Sequence, residues 1–303
     1  MDKKMFFLDL DGTALRDDKT IPEENVSAIR EAVDAGHYAA IATGRSTVSA
    51  MPVARQLGML REGCFLISYN GAKILRLDTQ ELIRELFLPT EYAAYLFTEA
   101  ERYNLHIQAY SEDVILARRE TPELHFYFNQ AGMPYRIVPG LYSARAVSSA
   151  KTSSGFPDPG DVPKGSGLHG ALSPLTPKVL VASLDHRELL EKFRADHREW
   201  ESGRCVSFFS GPEYLEYCHM HGTKADGIAF FETFLGIAHE NTVAMGDEEN
   251  DLAMIRAAGI GVAMPNAAEG IRQYADYVPE HDNNTGGVAE VIRRCMTGTP
   301  ASI

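Results

Sequence analysis

Asp9 and Asp11, two carboxylates one position apart, close an apolar run and open a Gly12-Thr13 turn. A short unbroken apolar segment such as Met5 to Leu8 reads as a buried parallel strand. Chemistry in open α/β sheets lies just beyond the carboxyl ends of such strands. Asp9 and Asp11 would then stand at a strand exit, close enough to share one hard cation, which prefers oxygen ligands. A strand ending in an ordinary Asp-Gly turn would look the same, so the decision falls to the other strand ends.

Two of these are polar as well. Tyr38 to Ala42 runs into Thr43-Gly44-Arg45-Ser46 ahead of a helix. A hydroxyl, a glycine N–H and a helix N-terminus make an anion site, though a plain N-capped turn has the same composition. Thr242 to Met245 runs into Gly246-Asp247-Glu248-Glu249-Asn250-Asp251. Acids this dense repel one another unless a cation offsets them. Glu248 and Glu249 suit a helix start, where the dipole favours anions. Asp247, nearest the strand, is the better metal ligand.

The elements that must hold these residues alternate at both ends of the chain. Pro22 to Ala35 reads as a helix with acidic residues in its first turn, Val26, Ile29 and Val33 on one face, and Gly36 as the stop. Cys64 to Ser68 is a third strand, ending at the turn signal Tyr69-Asn70-Gly71. Segments near Ala72 to Arg76 and Leu82 to Leu88 form a hairpin. From about Pro89 the pattern becomes α+β: a helix at Thr90 to Tyr103, antiparallel strands at Leu105 to Tyr110 and Asp113 to Ala117, then Lys178 to Ser183. A helix from Asp185 to Trp200 and strands near Val206 to Phe209 and Tyr214 to Tyr217 follow. Ser148 to Pro177 has sixteen Ser, Gly or Pro in thirty residues and reads as a long loop. Helix Thr223 to Leu235 carries a capping-box spacing of Thr223 and Asp226. Beyond it come helix Asp251 to Ala258, strand Ile260 to Met264 and a helix capped by Asn266. The fold class is α/β: a parallel-sheet domain from both chain ends, with an α+β insertion, divided as 1–88, 89–212 and 213–303.

Composition narrows the function. A net charge of −13 argues against nucleic-acid binding, which needs cationic surface. It also means that any phosphate site here needs local cations. Only a short apolar stretch precedes Asp9, so no signal peptide is expected. No apolar run reaches about 18 residues, so no membrane span is expected. The four cysteines are scattered, without a zinc or disulfide pattern. His219-x-His221 lacks a carboxylate or cysteine partner. A cytoplasmic setting fits.

The strings D-x-D-G-T and G-D-x-x-N-D, with Thr43 between them, resemble the motifs of the haloacid dehalogenase (HAD) superfamily. The resemblance spans nearly the whole chain and implies a Rossmann-like core. It makes Asp9 the nucleophile that forms an aspartyl-phosphate, a known form of covalent catalysis, and Asp11 the general acid/base. It gives Thr43 and the Gly44 N–H to the transferring phosphoryl group, with main-chain N–H near Leu10. It assigns Mg²⁺ to Asp9, the backbone carbonyl of Asp11 and Asp247. Asn250 contacts phosphate or orients a lysine, and Asp251 supports that lysine or its loop.

The lysine that the family requires has two candidates. Lys164 sits in the Ser/Gly/Pro stretch, with no helix to fix it. Lys224 lies at a helix start, where a cation is disfavoured without an anionic partner. Asp9 and the phosphoryl oxygens would supply that partner, so Lys224 is preferred.

The insertion follows Asn70-Gly71, as in the Cof-type (IIB) subgroup with its C2B-type cap, and Asn70-Gly71 then lies near the rim of the site. Leu215-Glu216-Tyr217 is similar to that subgroup's L-E-I-x-P stretch before the lysine, from which Cys218 to Gly222 departs. The expected activity is Mg²⁺-dependent hydrolysis of phosphate monoesters of small metabolites, either sugar phosphates or nucleotide and cofactor phosphates. The alternatives are a phosphomutase of the same superfamily and a non-catalytic phosphometabolite-binding regulator. Retention of all the catalytic acids argues against the last.

Overall fold

The computed structural model describes residues 2–111, 114–143 and 174–297. Ser148 to 173, including Lys164, lies outside the described residues. The chain divides into two compact units. One comprises Met1–Leu86, Phe208–Gly211 and Cys218–Ile303; the other comprises Phe87–Ser207 and Pro212–Tyr217.

The first unit is built on strands β1 (Met5–Leu8), β2 (Tyr38–Ala42), β3 (Cys64–Ser68), β4 (Lys73–Arg76), β5 (Leu82–Glu85), β12 (Thr242–Gly246) and β13 (Ile260–Ala263). Their order is β13-β12-β1-β2-β3-β4-β5, parallel from β13 to β3 and closed by the antiparallel β4–β5 hairpin. β1 is central, and every one of its side chains is fully buried. Successive strand residues face opposite sides of a sheet, and here both sides are covered. Phe6 and Leu8 pack with α1 (Glu23–Asp34), α2 (Thr47–Gln56) and α8 (Gly287–Met296). Met5 and Phe7 pack with α6 (Lys224–Leu235) and α7 (Glu249–Ala257). That is why β1 lacks the polar alternation of a half-exposed strand. Full burial of such side chains contributes about 1.5–3 kcal/mol each, enough to anchor the strand that ends at Asp9.

Asn266 does not cap an α-helix. Its Nδ2 donates to the Gly12 carbonyl at 2.8 Å, and the next element is a 3₁₀ turn at Arg272–Tyr274. Turns and helix caps favour the same asparagine side chain, so the local pattern does not separate them.

The sheet of the second unit has strands β6 (His106–Ser111), β7 (Val114–Ala117), β8 (Tyr135–Ile137), β9 (Lys178–Ala182), β10 (Cys205–Gly211) and β11 (Tyr214–His219), although Phe208–Gly211 and Cys218–His219 belong to the first. Their order is β10-β11-β9-β6-β7-β8. Its helices are α3 (Thr90–Arg102), α4 (Pro122–Ala131) and α5 (Arg187–Glu201). α4 escaped the sequence reading although it is well punctuated: Thr121 caps it, Pro122 starts it and left-handed Gly132 ends it. Lys178 Nζ donates to Glu216 Oε2 at 2.7 Å, both side chains almost fully buried. No described helix is long and apolar enough to cross a membrane.

Candidate active site

Each candidate residue of the first unit follows a strand or opens a helix that the double-sided core fixes. β1 stops at Leu8, and the Asp9 N–H then donates to the Met245 carbonyl at 3.0 Å, tying the two acidic loops together. Gly12 has φ of +78°, and a Cβ on it would come within 2.1 Å of Asp247 Oδ2. Glycine is therefore required both for the left-handed turn and for the close approach of Asp247. The neighbouring Thr13, fully buried, donates its hydroxyl to Asp247 Oδ1 at 2.9 Å.

Lys224 opens α6 behind a complete capping box of Thr223 and Asp226. Its Nζ donates to Asp9 Oδ1 and to Asp251 Oδ1, each at 2.6 Å, and it is 1% exposed. The other Asp251 oxygen accepts the N–H groups of Asp247 at 3.0 Å and Glu248 at 3.1 Å. One carboxylate thus caps α7 and holds the lysine at once. Leu10 is buried in the loop after β1, and its carbonyl accepts the Leu15 N–H at 2.9 Å.

Thr43 is buried at the end of β2, with its hydroxyl accepting the Arg45 N–H at 3.2 Å. Ser46 caps α2 by accepting the Ser49 N–H. Asn250 Nδ2 donates to Asn70 Oδ1 at 3.2 Å.

Asp11 stands apart from the buried cluster. Its half-exposed carboxylate is gripped by Arg45, whose Nε donates to Oδ2 at 2.7 Å and Nη2 to Oδ1 at 2.6 Å, and by Lys19 at 2.9 Å. Arg45 and Lys19 had no assigned role in the sequence reading. The signal available was the adjacency of Arg45 to Thr43-Gly44, one position past an expected anion site.

The electrostatics separate the two motif-one acids. Burial, followed by the charge of Asp251, raises Asp9 to about 7 in spite of Lys224. Burial and the charges of Asp9 and Asp251 raise Asp247 to about 9. Burial also pushes Asp11 upward, but the hydrogen bonds and charges of Arg45 and Lys19 win and lower it to about 2. Burial would lower Lys224, yet Asp251 and Asp9 hold it above the ordinary lysine range.

Asp9, Asp247 and Asp251 bring carboxylate oxygens within 4.8 Å of one another. With all three ionised, Lys224 leaves a surplus matching the charge of one divalent ion. An all-oxygen donor set suits a hard cation. Both Asp251 oxygens are already engaged, so Asp9 and Asp247 are the carboxylates best able to serve it.

The chain is similar over nearly its whole length to known proteins. A family model described as haloacid dehalogenase-like hydrolase matches residues 6–292. A 5-amino-6-(5-phospho-D-ribitylamino)uracil phosphatase of Bacillus subtilis is 30% identical over 294 residues, covering 97% of this chain and 96% of its own. A pyridoxal phosphate phosphatase of Escherichia coli is 26% identical over 301 residues, with 96% and 98% covered. A haloacid dehalogenase-like hydrolase from Bacteroides thetaiotaomicron superposes with a TM-score of 0.75 at 27% identity, covering 97% of this chain and all of that one.

Proposed function

Because the chain belongs to the haloacid dehalogenase-like hydrolases, of the Cof type, and is a phosphoric monoester hydrolase, we propose that it dephosphorylates small metabolites through an aspartyl-phosphate on Asp9 with Mg²⁺ as cofactor. The observation that carries the reading is the pairing of Lys224 with Asp9 and Asp251 beside Asp247. It sets a cation against the nucleophile in a pocket otherwise too acidic for a phosphate ester.

Asp9 attacks phosphorus in line, forming a P–O bond as the bond to the leaving alcohol breaks. Asp11, protonated and released from Arg45, gives its proton to that alcohol. In the second step Asp11, again a carboxylate, takes a proton from water, whose oxygen attacks the acyl phosphate and frees Asp9 and inorganic phosphate. Lys224, Thr43, Asn250 and the N–H groups near Leu10 and Gly44 hold the phosphoryl oxygens. Such transfer is largely a matter of positioning and electrostatic stabilisation. Mg²⁺, held by Asp9, Asp247 and the Asp11 carbonyl, would neutralise phosphoryl charge when bound.

This reading includes the division into a core of residues 1–88 and 213–303 and an inserted cap of residues 89–212. The substrate is a sugar phosphate or a nucleotide- or cofactor-type phosphate, and relatives named for a phosphoribitylamino-uracil and for pyridoxal phosphate support the second class. Phosphate release from p-nitrophenyl phosphate and a metabolite panel, with Mg²⁺ and with EDTA, tests it. Activity that survives EDTA, or that persists in Asp9→Asn, would sink it.

A further inference from the structure

We infer that Asn70 is a positioning residue that aims the Asn250 amide at the phosphoryl group, an inference that rests on the proposed phosphatase reading. Tyr69, Asn70 and Gly71 occupy positive φ in succession, at 50°, 62° and 132°. A tyrosine in the left-handed region is uncommon, and such outliers persist only where their surroundings over-determine them. The turn is nevertheless buried, Asn70 to 1% exposure.

The surroundings are the other loops of the site. The Tyr69 N–H donates to the Arg45 carbonyl and the Asn70 N–H to the Thr43 carbonyl, each at 2.9 Å, which staples the turn onto the loop after β2. Gly71 lies against the residue that caps the Lys224 helix, where a Cβ would come within 2.2 Å of the Thr223 carbonyl oxygen. The Asn70 side chain spans the remaining gap. Its Oδ1 accepts from Asn250 Nδ2, and its Nδ2 faces Cys218 Sγ at 3.9 Å. Partners at both ends of the amide fix which way it points, and the acceptor end meets Asn250. One strained turn therefore touches the loops of Thr43, Lys224 and Asn250, the last through the Asn70 side chain. Asn tolerates the left-handed region better than other residues with a side chain and carries the acceptor, so both demands fall on one residue.

Asn70→Gly separates the two roles, because glycine accepts the backbone conformation while the amide is lost. Its melting temperature should fall by only a few degrees, the scale of one buried hydrogen bond. The inhibition constant of inorganic phosphate should rise about tenfold, the scale of one hydrogen bond to a charged group. Asn250→Ala should show the same rise, and Asn70→Gly/Asn250→Ala should be no weaker than Asn250→Ala alone, the non-additivity expected of residues acting through one contact. Additive losses, or an unchanged inhibition constant in Asn70→Gly, would overturn the inference. Should the glycine variant fold poorly, Asn250→Ala alone decides: an unchanged inhibition constant in it overturns the inference. Hydrolysis of p-nitrophenyl phosphate by the wild type and its loss in Asp9→Asn report on the parent reading independently of this cycle.

Discussion

Lys224 Nζ sits 2.6 Å from Asp9 Oδ1 although 215 residues separate them in sequence. Neither group is exposed, so each offsets part of the cost of burying the other's charge. Lys224→Ala would leave Asp9 and Asp251 buried without a counter-charge. The expected loss is about 3–5 kcal/mol of stability and roughly 10²-fold or more in turnover. Thermal melts and kcat check both, while Lys164→Ala should leave both unchanged. The opposite pattern would transfer the role to Lys164.

Stability without metal should depend on pH with a definite sign. Asp9 and Asp247 are raised from 3.8 to about 7 and about 9, so the folded chain holds protons that the unfolded chain has released. Their contribution is complete below the unfolded value and is lost as pH rises through about 7 and then about 9. In EDTA the melting temperature should fall over that range. Added Mg²⁺ should restore it, by more at higher pH, because binding has fewer protons to displace. A metal-free melting temperature that rises with pH, with no Mg²⁺ effect, would contradict this.

Arg45 should set the pH at which Asp11 works. The Arg45 contacts dominate the forces that hold Asp11 down at about 2. Arg45→Gln should move Asp11 back toward the ordinary carboxylate range and enlarge the protonated fraction that can donate to the leaving group. The alkaline limb of the kcat/KM profile, which reports the free enzyme, should shift upward in pH. An unmoved profile would mean that Arg45 does not govern Asp11.

Thr13 should matter through the metal. Its hydroxyl is bound to Asp247 Oδ1, and loss of a residue that orients a ligand typically weakens metal affinity about 10–100-fold. Thr13→Val should raise the Mg²⁺ concentration for half-maximal activity by such a factor, and Asp247→Ala by more. A titration unchanged in both would remove Asp247 from the metal site.

The sequence by itself was enough to locate the loops of this site. An apolar strand that stops at a carboxylate or hydroxyl is a local pattern, and β1, β2 and β12 each carry one. Their double-sided burial is legible for the same reason, since a strand covered on both faces has no polar alternation. The Thr223–Asp226 capping box is equally local, and it fixed the start of the helix that presents Lys224.

Only the tertiary structure decided how charge is shared among those loops. Spacing alone makes Asp251 one more acid at a helix start, and the family resemblance implies support of either the lysine or its loop; packing α7 against α6 makes it serve both. The Arg45 grip on Asp11 and the Asn70–Asn250 contact join residues 34 and 180 positions apart. The buried Lys178–Glu216 pair joins two strands across the other sheet. Local pattern sets which elements form and where they end. The ionisation and direction of a side chain depend on which partner the packing brings within hydrogen-bond distance, and no spacing along the chain encodes that.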